Sequence, residues 1–293
     1  MNGRTDILFV VEGERLEPKV VGRMAEAYGF RCDVASVCTN IHVLYQTLKR
    51  DEGYTDAIPV LKEILGARLS SLEAGAPFPR REEKIRKTRD DIETLGRRFS
   101  SIYLVFDSEL HHRSLQGEHT LAAVGRNAAE LKEMLEFFNN ETEQGKLYVN
   151  YPMMDSFRDC DDFFDKGYRD RLVSLDVLFG KNGYKRSIAS RRLAGVHVGG
   201  LTREQLDRLV CMNVFKLNWM KNSVWGMPSY KEYAIASEQE GILGLELDMC
   251  RRLGSVAVLN TLLFFVLDYR GRDFYEGLVL PLRVEKLNAL LHD

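Results

Sequence analysis

Short apolar runs alternate with helical patterns through the first half of the chain. Continuous apolar stretches at 7–11 and 102–106 predict buried strands, and apolar positions at 32–37 and 147–151 predict two more. Helical periodicity predicts helices between them at 17–28, 41–50, 58–72, 80–96 and 121–139. Strands that alternate with helices predict an α/β fold whose mainly parallel sheet is flanked by helices.

The second half has a different pattern. Helical periodicity dominates at 161–178, 202–222 and 229–253, and Thr202 with Gln205 three residues later predicts a capped helix start. The apolar run 255–267 is too short to cross a bilayer, so we expect it in the core and expect no membrane partner. We therefore predict an α/β domain over residues 1–155, with a helical insertion at about 56–98, and a mainly helical region over 156–293.

Composition narrows the class of protein. The chain has 293 residues, of which 45% are apolar and 29% charged, which is typical of a folded domain. Its formal net charge of −2 argues against a protein that binds polyanions through overall charge, but leaves room for a local basic patch. Five cysteines without C-x-x-C spacing and an amino terminus without a signal-peptide pattern predict reduced thiols and a cytoplasmic location.

Acidic residues stand directly behind the predicted strands. Glu12 follows the first strand, Asp107 follows the strand at 102–106, and Glu109 comes two residues later. Parallel strands end at one edge of the sheet, where ligands bind, and converging carboxylates repel one another unless a cation such as Mg²⁺ lies between them. The alternative is that these acids mark the point where strands meet solvent. Asp155 is a further candidate at this edge, or else a helix N-cap.

Two short motifs carry a resemblance to a known family. The segments VVEGE at 10–14 and VFDSE at 105–109 resemble the Toprim domain of topoisomerases, primases, some RNA-maturing nucleases and the OLD nucleases. The longer form VEGERLEP at 11–18 is most similar to small Toprim-type proteins of prokaryotic defence loci. Several of those are nuclease effectors, and some are paired with ABC-type ATPases. The resemblance covers about residues 5–155 and implies a Toprim-like sheet.

The resemblance also implies roles for the acids. Glu12 would be a metal ligand or general acid/base, while Asp107 and Glu109 would hold Mg²⁺, with Mn²⁺ as a substitute and Asp155 as a weaker fourth ligand. The implied function is a magnesium-dependent nuclease acting on DNA or RNA, as a toxic effector of anti-phage defence. Glu109 departs from the family's second aspartate, which changes the reach of the ligand. His111 and His112 either assist the site or are exposed loop residues.

Two basic clusters are candidate nucleic-acid contacts. The preferred one comprises Lys185, Arg186, Arg191 and Arg192, with Tyr184 as a stacking surface. The run at 80–89 is interleaved with acids, which favours a salt-bridged helix that projects into solvent or meets a partner. This leaves a second hypothesis, in which the chain is a Toprim-like scaffold or interaction protein bound to a partner such as an ABC-type ATPase. A homo-oligomer is compatible with either.

Overall fold

The computed structural model describes residues 7–50, 56–112, 120–180 and 183–291, with side chains to residue 278. The chain divides into two compact units, Met1–Val149 and Asn150–Asp293. Elements in and at the end of the first unit are, in chain order, β1 (Ile7–Val11), α1 (Leu16–Tyr28), β2 (Cys32–Ser36), α2 (Ile41–Leu48), α3 (Ala57–Ala74), α4 (Arg81–Thr94), β3 (Ser101–Asp107), α5 (Leu121–Phe137), β4 (Asn139–Asn140) and β5 (Gly145–Asn150).

The first unit is built on a five-stranded, mainly parallel sheet in the order β2-β1-β3-β5-β4, which confirms the predicted α/β class. All five residues of β1 are buried, as expected for a strand covered on both faces. β1 pairs in parallel with β2 and β3, and Val11 stands opposite both Ser36 and Val105. The carboxyl ends of three strands therefore meet at one edge, directly before Glu12.

Helix α4 packs differently from its sequence-based prediction. It contacts α3 and the strand β2, and it buries Ile85, Thr88, Asp91 and Thr94 along one face. Asp91 accepts a hydrogen bond of 3.2 Å from the backbone N–H of Ser36, at the end of β2. The expectation that this helix projects into solvent is therefore wrong for the face that carries these residues. A polar side chain such as Asp91 can be buried against the end of a strand when a backbone group there provides its hydrogen bond.

The second unit is largely helical. Its elements are β6 (Leu172–Ser174), α6 (Leu175–Phe179), α7 (Gly183–Ile188), α8 (Arg203–Asn222), α9 (Tyr230–Ala236), α10 (Gln239–Leu253), β7 (Ser255–Ala257) and α11 (Phe265–Leu291), and β6 pairs antiparallel with β7. The predicted capping box is confirmed, because Thr202 and Gln205 exchange both hydrogen bonds at the start of α8. The single helix predicted over 161–178 is wrong: that stretch holds a 3₁₀ turn, β6 and α6.

The apolar run near the carboxyl terminus belongs to the core, as predicted. Residues 256–267 are all buried, across β7, a 3₁₀ turn and the start of α11. Helix α11 is interrupted at Gly271, whose φ of 71° and ψ of −163° are not helical. Across the described ranges, no helix combines the length and apolarity that crossing a membrane requires.

Candidate metal centre at the sheet edge

Three carboxylates meet at the carboxyl edge of the sheet. One oxygen from each of Glu12, Asp107 and Glu109 lies within 4.8 Å of the other two, and all three residues are half-buried. The expectation that these acids converge is confirmed, although they come from two separate parts of the chain. Carboxylates at this separation repel one another, so the arrangement favours a cation between them.

Backbone hydrogen bonds extend the sheet one residue past β1 and thereby orient Glu12. Its N–H donates to the carbonyl of Val105 (3.2 Å), and its own carbonyl accepts from the N–H of Cys38 (2.9 Å). The N–H of Asp107 donates to the side-chain Oε2 of Glu12 at 3.1 Å. The carboxylate of Glu12 is therefore held by the strand that supplies the second acid.

Gly13 makes room for a fourth carboxylate close by. A Cβ atom at this position would lie 2.5 Å from Oε2 and 2.7 Å from Oε1 of Glu17, which is buried in the first turn of α1. The partial positive charge at a helix amino terminus stabilises an acid placed there. Glu17 was part of the VEGERLEP motif but received no role from the sequence, and the structure explains why glycine precedes it.

The backbone of Glu109 adopts an unusual conformation and is contacted by a buried histidine. Its φ of 44° lies in the left-handed region, which is strained for a residue with a side chain. The carbonyl oxygen of Glu109 lies 3.3 Å from Nε2 of His42, and Nδ1 of the same ring lies 2.8 Å from Oε2 of Glu130 on α5. His42 is buried, and burial lowers its pKa, although the hydrogen bond with Glu130 opposes this shift. Sequence reasoning missed His42, which lies inside an ordinary amphipathic helix.

The two histidines after Glu109 are half-buried, so the expectation of exposed loop residues is wrong. His111 places Nε2 4.0 Å from Oε2 of Glu109. The ring of His112 stacks on His42 with 4.9 Å between centroids, and its Nδ1 lies 3.4 Å from Nδ2 of Asn40. These histidines therefore surround the loop that carries the third acid.

Asp155 lies in the second unit, within a 3₁₀ turn formed by Met154–Arg158. It does not cap a following helix, since the N-cap of that turn is Met153. Its carboxylate forms an ion pair with Arg158 and lies 3.8 Å from Nζ of Lys185. Two cations thus balance its charge already, and its role as a metal ligand stays a prediction.

The predicted nucleic-acid contact around residues 185–192 is partly neutralised by acids of the same unit. Arg191 donates to Asp159 at 3.0 Å and to Asp161 at 3.3 Å. Tyr184 is 2% exposed and its hydroxyl donates to Asp159, so its proposed role as a stacking surface is wrong. Arg186 and Arg192 are exposed, and with Lys185 they keep the prediction of a nucleic-acid contact open.

A second basic surface lies in the first unit. A small cleft there is lined by six charged residues: Glu14, Arg15, Arg80, Glu83, Lys84 and Lys87. Arg15 follows the acid motif directly in sequence, whereas Arg80 stands just before α4. The basic run at 80–89 therefore does more than cover a solvated helix face, because part of it faces the loop after β1. Arg15 was missed by sequence reasoning, since one arginine between acids carries no signal of its own.

Cys38 contacts this loop through its backbone, because its N–H donates to the carbonyl of Glu12. Burial raises the pKa of its thiol to about 12, with further contributions from Glu14 and Asp91 that Arg68 opposes. A thiol with such a pKa is protonated at neutral pH, which makes it a poor nucleophile. The chemistry of this edge therefore rests on its carboxylates.

Fold and cluster together define an α/β protein with a carboxylate centre at the carboxyl edge of a mainly parallel sheet. No protein-family model, no curated protein and no solved structure matches the chain. The resemblance to Toprim domains therefore rests on the two short acid motifs and stays a prediction.

Proposed function

We propose that the protein is a divalent-metal-dependent nuclease whose centre is formed by Glu12, Asp107 and Glu109. The observation that carries this proposal is the convergence of the three carboxylates within 4.8 Å at the ends of adjacent parallel strands. Hydrolysis of a phosphodiester in such a centre needs a bound cation, a proton acceptor and groups that hold the phosphate.

The donor set fits Mg²⁺, with Mn²⁺ as a substitute. All three candidate ligands are carboxylates, which are hard oxygen donors, and Mg²⁺ binds through few protein carboxylates while it keeps several waters. Sites that select zinc use imidazole and thiolate ligands instead.

Each acid has a role that follows from its position. A bound Mg²⁺ would polarise the phosphodiester and favour ionisation of the attacking water. Asp107 and Glu109 would hold the cation, while Glu12 would accept the proton of the water. The hydrogen bond from the N–H of Asp107 fixes the orientation of the Glu12 carboxylate, so its proton-accepting oxygen is held in place. Such preorganisation avoids an entropic cost during reaction.

Cleavage assays with DNA and RNA in Mg²⁺, Mn²⁺ or EDTA test the proposal. Glu12→Gln and Asp107→Asn keep the shape of each side chain and remove its charge, so we expect both to abolish metal-dependent cleavage. Glu26→Gln, at an exposed position of α1, is the matched control and retains activity. Full activity in the first two variants contradicts the proposal.

Calorimetric titration with Mn²⁺ distinguishes the nuclease from the scaffold hypothesis. The nuclease requires binding that weakens in Glu12→Gln and Asp107→Asn. Absence of binding, or binding indifferent to both substitutions, supports a scaffold. The defence role, the ABC-type ATPase partner and the cytoplasmic location stay predictions that rest on the resemblance and on composition.

A further inference from the structure

We infer that the cleft between the loop after β1 and helix α4 binds a phosphate group of the nucleic-acid backbone, an inference that rests on the proposed nuclease function. Its cations are Arg15, Arg80, Lys84 and Lys87. This surface differs from the cluster at 185–192, and it would hold the strand beside the acids that cleave it.

The cleft lies at the same edge of the sheet as the carboxylate centre. Ser36 stands opposite Val11 in the register of β1 and β2, and Lys87 donates a hydrogen bond of 3.2 Å to the hydroxyl of Ser36. Arg15 is three residues beyond Glu12 in the same loop. Helix α4 is therefore anchored where β1 delivers the first acid.

Among the described cations of the cleft, one forms an ion pair with an acid and the others do not. Lys87 pairs with Asp91 at 3.2 Å and belongs to the anchor of the helix. Among the ion pairs of the described ranges, none involves Arg15, Arg80 or Lys84. Lys84 lies 5.6 Å from the centroid of the Phe78 ring, a cation–π contact with a neutral partner, so its positive charge is not neutralised by an acid there.

Two other cations of the same helical region have partners. Arg89 pairs with Glu73 at 2.6 Å, and Arg81 donates to the backbone carbonyls of Leu72 (2.7 Å) and Glu73 (2.6 Å). Arg86, which lies outside the cleft, is also without an ion pair among the described residues, but the cleft brings three such cations together. Of the two acids in the cleft, Glu14 is paired with Arg68 of α3, which leaves the balance positive.

The start of α4 adds to the attraction for an anion. Arg80 has a φ of 65°, in the left-handed region, and the helix begins at the next residue. The helix dipole favours an anion at such an amino terminus, although Glu82 and Glu83 in the first turn already interact with it and the N–H of Arg81 donates to Phe78. Guanidinium groups match phosphate oxygens in pairs, while Lys84 supplies a point charge. A phosphodiester in the cleft would offset the positive charge that these side chains contribute to its lining.

Binding of a fluorescein-labelled single-stranded oligonucleotide to the full chain in EDTA tests the inference without cleavage. We expect the triple variant Arg15→Gln, Arg80→Gln, Lys84→Gln to bind more weakly. We also expect its slope of log K against log salt to fall by about 0.7 for each phosphate that the variant no longer neutralises. Wild-type affinity and slope in this variant, or no binding by the wild type, overturn the inference.

Two single variants control for overall charge. Arg86→Gln removes a cation of α4 that does not line the cleft, and it leaves the salt slope unchanged. Glu83→Gln removes an exposed acid of the cleft and tightens binding. Equal weakening by Arg86→Gln and by single substitution of Lys84 shows that only net charge matters. No effect of Glu83→Gln shows that the charge of the cleft does not influence binding. Either result overturns the inference.

A mononucleotide competitor identifies the source of the phosphate. We expect weak competition, because counterion release grows with the number of phosphates contacted. Competition equal to that of an unlabelled oligonucleotide assigns the cleft to a free nucleotide and overturns the strand proposal.

The outcomes separate this inference from the nuclease proposal. Asp107→Asn should bind the oligonucleotide in EDTA at least as tightly as the wild type does, because it leaves the cleft unchanged and removes a carboxylate that repels the strand. If the oligonucleotide binds through Arg15 and Lys84 but the protein cleaves neither DNA nor RNA, the phosphate site in the cleft is supported and the nuclease proposal is contradicted. If cleavage requires Glu12 but binding is unaffected by substitutions in the cleft, only the inference about the cleft is contradicted.

Discussion

The backbone N–H of Asp107 donates a 3.1 Å hydrogen bond to Oε2 of Glu12, across a separation of 95 residues. This bond joins the end of β3 to the residue after β1 and orients the first acid toward the second. Because the donor is a backbone group, it survives substitution of the Asp107 side chain. A substitution such as Asp107→Asn can therefore change the charge of the centre while the backbone hydrogen bond that orients Glu12 is kept.

Removing one charge from the cluster is expected to abolish the stabilisation of the fold by metal. In the wild type, Mn²⁺ raises the Tm, since a ligand at 100 times its Kd stabilises the native state by about 2.7 kcal/mol. Asp107→Asn relieves repulsion between carboxylates, so its Tm without metal is at least that of the wild type. Its metal-induced rise is abolished. Thermal denaturation with and without Mn²⁺ measures both effects, and an unchanged rise contradicts the metal centre.

Gly13→Ala is expected to displace the Glu17 carboxylate. The added Cβ would lie 2.5 Å from Oε2 at the flexible end of that side chain, and moving the side chain off its rotamer costs about 0.5–1.5 kcal/mol. Gly22→Ala is the matched control, because nothing lies within 4 Å of its Cβ and alanine stabilises a helix interior by about 0.5–1 kcal/mol. Urea denaturation followed by circular dichroism should show opposite signs, and equal signs would contradict this account of the loop.

His42→Ala is expected to weaken metal binding through the backbone of Glu109. The substitution removes the group 3.3 Å from the Glu109 carbonyl and leaves Glu130 without its 2.8 Å partner. Losing buried partners destabilises the fold by about 1–3 kcal/mol. Leu65→Ala, at a fully buried position of α3, controls for stability alone. Calorimetry should show weaker Mn²⁺ binding only in the histidine variant, and equal affinities would assign His42 a purely structural role.

A buried pair in the second unit is expected to set the pH dependence of stability. Glu246 and Lys216 are both fully buried, and Lys216 donates to the carbonyls of Arg169 (2.6 Å) and Arg171 (2.9 Å). Burial raises the pKa of Glu246 from 4.5 to about 8 and lowers that of Lys216 from 10.5 to about 8.

The sign of this dependence follows from proton linkage. Between pH 4.5 and about 8 the folded state keeps a proton on Glu246 that the unfolded state releases, so this contribution to stability is lost as the pH rises. Between about pH 8 and 10.5 the unfolded state holds the extra proton on Lys216, so stability rises again. Glu246→Gln should remove the falling limb, whereas Glu240→Gln, exposed on the same helix, should retain it.

Tryptophan fluorescence measures this effect in the second unit, because Trp219 and Trp225 are the two tryptophans of the chain and both belong to it. Urea denaturation at several pH values gives the free energy of unfolding for each variant. An identical pH profile in wild type and Glu246→Gln would assign the dependence to other groups.

Local patterns were sufficient for much of the first unit. Continuous apolar runs marked β1 and β3, because a strand covered on both faces has no polar side. The helix over residues 161–178 was predicted wrongly because its acids looked like a solvated helix start. In the structure Asp161 and Asp165 instead bind Arg171, and such ion pairs stabilise irregular turns that have no helical period.

Apolar strands followed by acids were enough to predict that Glu12, Asp107 and Glu109 meet, because parallel strands in register end together. The contributions of His42, Glu17 and Arg15 depend on partners far away in the chain or on the space around them. Whether a cation is compensated or open to a ligand depends on which acid folds beside it. Coulomb interactions act over a few ångströms in space regardless of separation along the chain, so packing alone establishes those pairings.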